Sequence, residues 1–61
     1  METKQIIPNL NKKVMWQGRE YIFSGCTIRR LPDGTIYYQA ELKELKANSI
    51  SIVRLGDVNV M

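Results

Sequence analysis

From Lys12 onward the chain sets short runs of β-branched and aromatic residues between turn-forming interruptions. These fall at Gln17-Gly18, Leu31-Pro32-Asp33-Gly34, Ala47-Asn48-Ser49 and Gly56-Asp57. Runs this short, punctuated by Gly, Pro, Asn and Asp, predict an antiparallel meander rather than helices. After the second interruption, Ile36, Tyr38, Ala40 and Leu42 alternate with Tyr37, Gln39, Glu41 and Lys43. That period of two buries the first set on one face of a strand and wets the second. Before the interruption the phase changes: Tyr21 and Phe23 are odd, Cys26 and Ile28 even, with Gly25 between them. A β-bulge at Ser24-Gly25 would return all four side chains to one face and bend the strand, as closure of a small barrel requires.

Leu31-Pro32-Asp33-Gly34 is the sharpest local signal. Pro pre-sets φ at the second turn position, Asp suits the third, and Gly accepts the left-handed conformation that closes a hairpin. Residues 39–47 are good helix formers, with Tyr38, Leu42 and Leu45 at helical spacing, so a helix competes with a strand there. The strand is preferred, because the alternation runs on from Ile36 and no Ser, Thr, Asp or Asn caps a helix start. A short helix or turn near 43–48 stays open. Ser49 to Leu55 then reads as a strand with Ile50 and Ile52 inward, and Val58 to Val60 as a closing strand. Five strands follow. Residues 1–11 show no sustained period and contain Pro8, which predicts a flexible, loosely attached arm before a single domain at residues 12–61.

Five short strands, a long bent hairpin and a brief turn before the last strand resemble an SH3-like small barrel, over about Lys12 to Met61. Val14-Met15-Trp16-x-Gly18-x-x-Tyr21, Tyr37-Tyr38-Gln39-Ala40-Glu41-Leu42 and Ser49-Ile50-Ser51-Ile52-Val53 resemble small uncharacterised proteins of Gram-positive mobile elements, such as conjugative transposons. The resemblance implies a cytoplasmic accessory role and carries no catalytic motif. The acidic loop of peptide-binding eukaryotic SH3 domains is replaced here by the basic, tight Arg29-Arg30-Leu31-Pro32-Asp33-Gly34.

With 61 residues, 44% of them hydrophobic and 25% charged, the composition is that of a soluble single domain. A chain of this size buries only about 60% of its unfolded surface, leaving little room for both a core and a deep catalytic cavity. Its chemistry narrows further. The absence of His and the presence of one Cys exclude Cys/His zinc sites, His triads and His general bases. Glu2, Glu20, Asp33, Glu41, Glu44 and Asp57 form neither a calcium loop nor an acid/base pair, and Glu41 and Glu44 read as solvated strand-edge charges. The glycines fall at turns and a bulge, not in a phosphate loop. Neither an enzyme nor a cofactor is expected. A lone Cys26 fits a reducing cytoplasm and, on the inward phase of its strand, acts as a small hydrophobe. Met1 to Leu10, with Glu2, Lys4, Gln5 and Asn9 around Ile6-Ile7, does not read as a secretion signal. Apolar runs of two or three residues fall far short of the ~20 that span a bilayer, so no membrane association is expected.

A net charge of +3 and a pI near 9.3 lean mildly toward polyanions. Trp16, Arg19, Arg29, Arg30 and Tyr37 are the candidate binding residues. Trp16 is a stacking platform for a base or an anchor for a partner, or else a core plug. Alternation turns Tyr37 outward, on the face it shares with Arg29, whereas Arg30 joins them only if the hairpin end twists. Basic residues interleaved with aromatics hold nucleic acid in many small barrels. Lys and Arg at strand ends equally keep edges soluble. Two functions remain: a non-catalytic module for a protein partner, favoured by the modest charge and the apolar Tyr37, Val60 and Met61, and a nucleic-acid-binding accessory protein using the basic hairpin.

Overall fold

In the computed structural model, which describes residues Met1–Met61, strands end where the turn residues fall. They are β1 (Lys13–Trp16), β2 (Arg19–Arg30), β3 (Ile36–Glu44), β4 (Ile50–Arg54) and β5 (Asn59–Val60). All pairs are antiparallel and the sheet order is β4-β3-β2-β1-β5. β4 and β5 are the two ends of the sheet and do not pair, so the sheet is not closed. The barrel expected from sequence is thus an open five-stranded sheet with one short helix. No helix is long and apolar enough to cross a membrane.

Two of the three hairpins are set by tight turns. Between β1 and β2, Gln17 (φ 49°) and Gly18 (φ 74°) both adopt positive φ, the conformation that matches a two-residue turn to the strand twist. Between β2 and β3, the Gly34 N–H donates to the Leu31 carbonyl at 2.9 Å and the Leu31 N–H to the Thr35 carbonyl at 2.8 Å. Gly34 sits at φ 92°, so the predicted Pro-Asp-Gly turn closes as expected. The predicted bulge is present as well. Pairing steps from Phe23↔Leu42 to Gly25↔Glu41, leaving Ser24 unmatched. Its hydroxyl donates to the Glu41 carbonyl (3.2 Å) and to Glu41 Oε2 (2.9 Å). Glu41 is therefore a half-buried, hydrogen-bonded carboxylate rather than a solvated edge charge, and Glu44, opposite Tyr21, is also half-buried.

The helix formers of 39–47 remain in β3 to Glu44, with bends at 45–48. Ladder partners on both sides, β2 and β4, override a propensity worth only tenths of a kcal/mol per residue. β4 reverses the expected phase. Leu42 pairs with Ser51 and Ala40 with Val53, and directly opposite residues share a face. Ser51 and Val53 thus turn inward, while Ile50 and Ile52 lie outside, 53% and 56% exposed.

The segment expected as a loose arm is instead folded against the sheet. A 3₁₀ turn at Thr3–Gln5 runs into the four-residue helix α1 (Ile6–Asn9). Pro8 is tolerated there because first-turn N–H groups have no intrahelical acceptor to lose. Met1, Ile6 and Leu10 pack on the core. The Met1 amino group donates to the carbonyls of Leu55 (3.3 Å) and Val58. Asn11 N–H then donates to the Phe23 carbonyl at 2.7 Å and Phe23 N–H to that of Lys12 at 2.9 Å, which carries the segment into the ladder.

Val14, Tyr21, Phe23, Ala40, Leu42, Leu55 and Val58 form the core, with no buried polar residue among them. Leu55 comes from a 3₁₀ turn, Leu55–Asp57, between β4 and β5. The core occupies only the half of the β2–β3 hairpin near β1. Further out, on the same face, Ile28 and Ile36 are 65% and 57% exposed, and the molecule measures 38 × 22 × 18 Å.

Candidate functional site

The outer half of the β2–β3 hairpin is a two-stranded ribbon. β1 pairs with β2 no further than Ile22, and β4 pairs with β3 no further than Gln39. From Gly25 to Arg30 on one strand and Ile36 to Tyr38 on the other, the outward edges have no neighbouring strand. The twelve-residue β2 and nine-residue β3 are simply longer than the four-residue β1 and five-residue β4 that flank them.

Its two faces differ in chemistry. On the face continuous with the core, Ile28 lies opposite Tyr38 and Arg30 opposite Ile36, with exposed Leu31 at the turn. The other face carries Arg29 directly opposite Tyr37, then Thr27 opposite Gln39, then Arg54 beyond Gln39 on β4. Arg29 Nε donates to Gln39 Oε1 at 2.8 Å. Arg29 and Tyr37 thus share a face, as alternation predicts, and Arg30 stands on the opposite one.

Trp16 and Arg19 lie at the far end of β2. They face each other across the β1–β2 turn. Trp16 is half-buried and packed on the core, with its ring centroid 5.8 Å from that of Tyr21 in an edge-on arrangement. Arg19 lines a surface depression with Glu20, Tyr21, Glu44, Leu45 and Lys46. The five candidate residues therefore divide between the two ends of β2.

A second depression opens along the free edge of β3, lined by Leu31, Thr35, Tyr37, Tyr38, Gln39 and Arg54. Only Tyr37 among these is a sequence candidate. Tyr38, Leu31 and Arg54 could have been suspected only by noticing that the run at 50–54 is too short to cover β3. Reactive groups are sparse throughout. No three His, Cys, Asp or Glu side chains come together where they could hold a metal ion. Burial pushes the Cys26 thiol above its ordinary pKa, which keeps it protonated and poorly nucleophilic near neutrality. Asp33 is shifted the other way: the Thr35 backbone N–H, 2.9 Å from its Oδ1, holds its carboxyl below the usual range, helped by the Thr35 side chain. No protein-family model, curated protein or solved structure matches the chain.

Proposed function

We propose that this protein is a non-catalytic binding module of SH3-like type that engages a protein partner through the outer half of its β2–β3 hairpin. One observation carries the reading. Ile28, Leu31 and Ile36 are exposed on a ribbon that has no strand on either side, and large apolar side chains grouped at open backbone edges are the features that protein partners cover. The SH3-like assignment draws support from the strand order, the bulge that bends β2 and the 3₁₀ turn between β4 and β5. An accessory role in a mobile element rests on the sequence resemblance alone. A cytoplasmic setting rests on that resemblance and on the free Cys26.

The test compares the wild type with Ile28→Asp in pull-downs from a Gram-positive lysate, beside electrophoretic mobility of a generic duplex and single strand at low salt. Ile28 is exposed, so the variant should keep the wild-type circular dichroism. A captured protein lost in the variant supports the reading. Capture indifferent to Ile28, or none, defeats it.

Nucleic-acid binding is the second reading, favoured by Arg29 beside Tyr37 with Arg54 on the same face. Arg19 is too far away to join them. Two neutralised phosphates would give a log–log salt slope near about −1.4 for a single strand, from ~0.7 counterions released per contact.

A further inference from the structure

Building on the protein-partner reading, we propose that the notch beside Ile36–Tyr38 binds an extended acidic peptide as an added strand, with a peptide carboxylate held by Arg54. β4 ends opposite Gln39 and the chain leaves the sheet plane in the turn at Leu55–Asp57. The line that β4 would have followed is vacant along the first residues of β3, between the Arg54 end and the Leu31/Thr35 hairpin end. In an antiparallel ladder, backbone groups point alternately to the two sides. Because Leu31 N–H bonds the Thr35 carbonyl and Arg29 pairs with Tyr37, Tyr37 directs its backbone groups to β2. Ile36 directs its own into the notch. Tyr37 and Tyr38 stand on opposite faces of the strand, so their rings flank the notch on both sides. A backbone floor between aromatic walls is the geometry of strand addition, in which main-chain hydrogen bonds supply affinity and flanking side chains select the sequence.

Charge chooses among peptides. Arg54 is exposed and has neither an ion-pair nor a hydrogen-bond partner, since the one salt bridge in the molecule joins Lys4 to Glu2. Nearby carboxylates are already engaged, Asp33 by the Thr35 N–H and Glu41 by the Ser24 hydroxyl, whereas Arg29 is tied to Gln39. Arg54 is therefore the unsatisfied cation at the notch, and a planar guanidinium can hold a peptide carboxylate through two parallel hydrogen bonds. Nucleic acid could meet Arg54 with a phosphate, but its bases offer no matching ladder to the Ile36 N–H and carbonyl.

The probe is an array of blocked hexapeptides alternating valine or isoleucine with threonine, each made with Asp or with Asn at every position in turn. Peptides are titrated into the isotope-labelled full chain, with oligothymidylate as the control. Asp members should bind about five-fold tighter than their Asn counterparts, shift the amides of Ile36–Tyr38 and Arg54, and slow hydrogen exchange at Ile36. Arg54→Gln should erase the Asp preference, and Ile36→Pro should abolish binding of both sets. Thermal unfolding and circular dichroism identify any variant that has lost its fold, and Arg54→Gln alters only an exposed side chain. Equal binding of Asp and Asn members, shifts mapped elsewhere, no binding at millimolar peptide, or oligothymidylate moving these amides in place of peptide each overturns the proposal. Should the array fail while protein capture still depends on Ile28, the notch is refuted and the hairpin reading stands.

Discussion

Gly25 and Glu41 face each other across the β2–β3 ladder, and Glu41 folds its own side chain over the glycine. A methyl group on Gly25 would lie 3.3 Å from Glu41 Oε2 and 3.8 Å from its Cβ. The same Oε2 accepts the Ser24 hydroxyl at 2.9 Å, so the bulge residue holds the carboxylate where it crowds the next position. Gly25 does not occupy the left-handed region. Room, rather than backbone conformation, is what limits a larger residue here. Gly25→Ala should fall within about 0.5 kcal/mol of wild type, a gain in strand propensity offsetting a small shift of Glu41. Gly25→Val adds branches toward the carboxylate and should cost about 1 kcal/mol. In a Glu41→Ala background most of that cost should vanish, giving a coupling of about 1 kcal/mol in a urea-unfolding double-mutant cycle. Additive effects would show that the two side chains do not compete for space.

β4 ranks its own substitutions. Val53 packs on the core whereas Ile52 is 56% exposed on the opposite face. Val53→Ala should destabilise by about 1–2 kcal/mol and Ile52→Ala by about 0.5 kcal/mol or less. The larger side chain is thus the less costly to truncate. Equal losses, or the reverse order, in chemical denaturation would contradict the observed register.

That reversal marks where the residue pattern stops being informative. The hairpin turn and the bulge are legible because each depends on a few neighbouring residues: Pro32-Asp33-Gly34 dictates its own closure, and the phase change from Phe23 to Cys26 reveals the extra residue. Arg29 and Tyr37 meet for the same reason, since a defined turn and a period of two set the register between them. Ile50-Ser51-Ile52-Val53 carries apolar residues on both phases. Only pairing with Leu42 and Ala40 decides which phase goes inward. The notch is less legible still, because it comes from β4 stopping at Arg54 while β3 continues, a relation between two strands that neither one encodes. Trp16 and Arg19 share with Arg29 and Tyr37 the residue types of a basic-aromatic surface, yet the length of β2 separates the two pairs.

The N-terminal segment should matter to stability. Leu10 and Ile6 pack against the core, and Asn11 and Lys12 exchange backbone hydrogen bonds with Phe23. Leu10→Ala should destabilise by about 1–2 kcal/mol, since a half-buried leucine loses both transfer energy and contacts. A midpoint unchanged in urea would mean that the segment is a detached arm after all.

The β1–β2 turn leaves stability to be gained. Gln17 sits at φ 49° ahead of Gly18 at φ 74°, and Asn-Gly is the pair such two-residue turns prefer, because Asn tolerates the left-handed region better than residues with longer side chains. Gln17→Asn should raise stability by roughly 0.5 kcal/mol, visible as a higher thermal midpoint. The side chain is exposed, so little packing is lost in the exchange. A lower midpoint would show that Gln17 contributes through contacts rather than conformation.

Acid should loosen the hairpin tip through Asp33. The Thr35 N–H donates to its Oδ1 at 2.9 Å, and hydrogen bonds to the charged form hold the carboxyl below its ordinary value of 3.8. The folded pKa is thus lower than the unfolded one. Its contribution is complete above the unfolded value and is lost as pH falls through the folded one, since protonation then favours the chain in which the carboxyl is free. Asp33→Asn keeps a side-chain oxygen to accept the Thr35 N–H but has no charge to titrate. Across about pH 6 to 2, wild type should therefore lose more thermal stability than the variant, with the difference opening only below about pH 4. Every other side chain is common to the two proteins and cancels in the comparison. Because Asp33 is at the solvent-exposed tip, nuclear magnetic resonance titration of its own carboxyl provides the sharper reading: a midpoint below the ordinary value that returns toward it when Thr35→Pro removes the N–H donor. A midpoint at the ordinary value in the wild type would mean that the Thr35 N–H does not hold the carboxylate in solution.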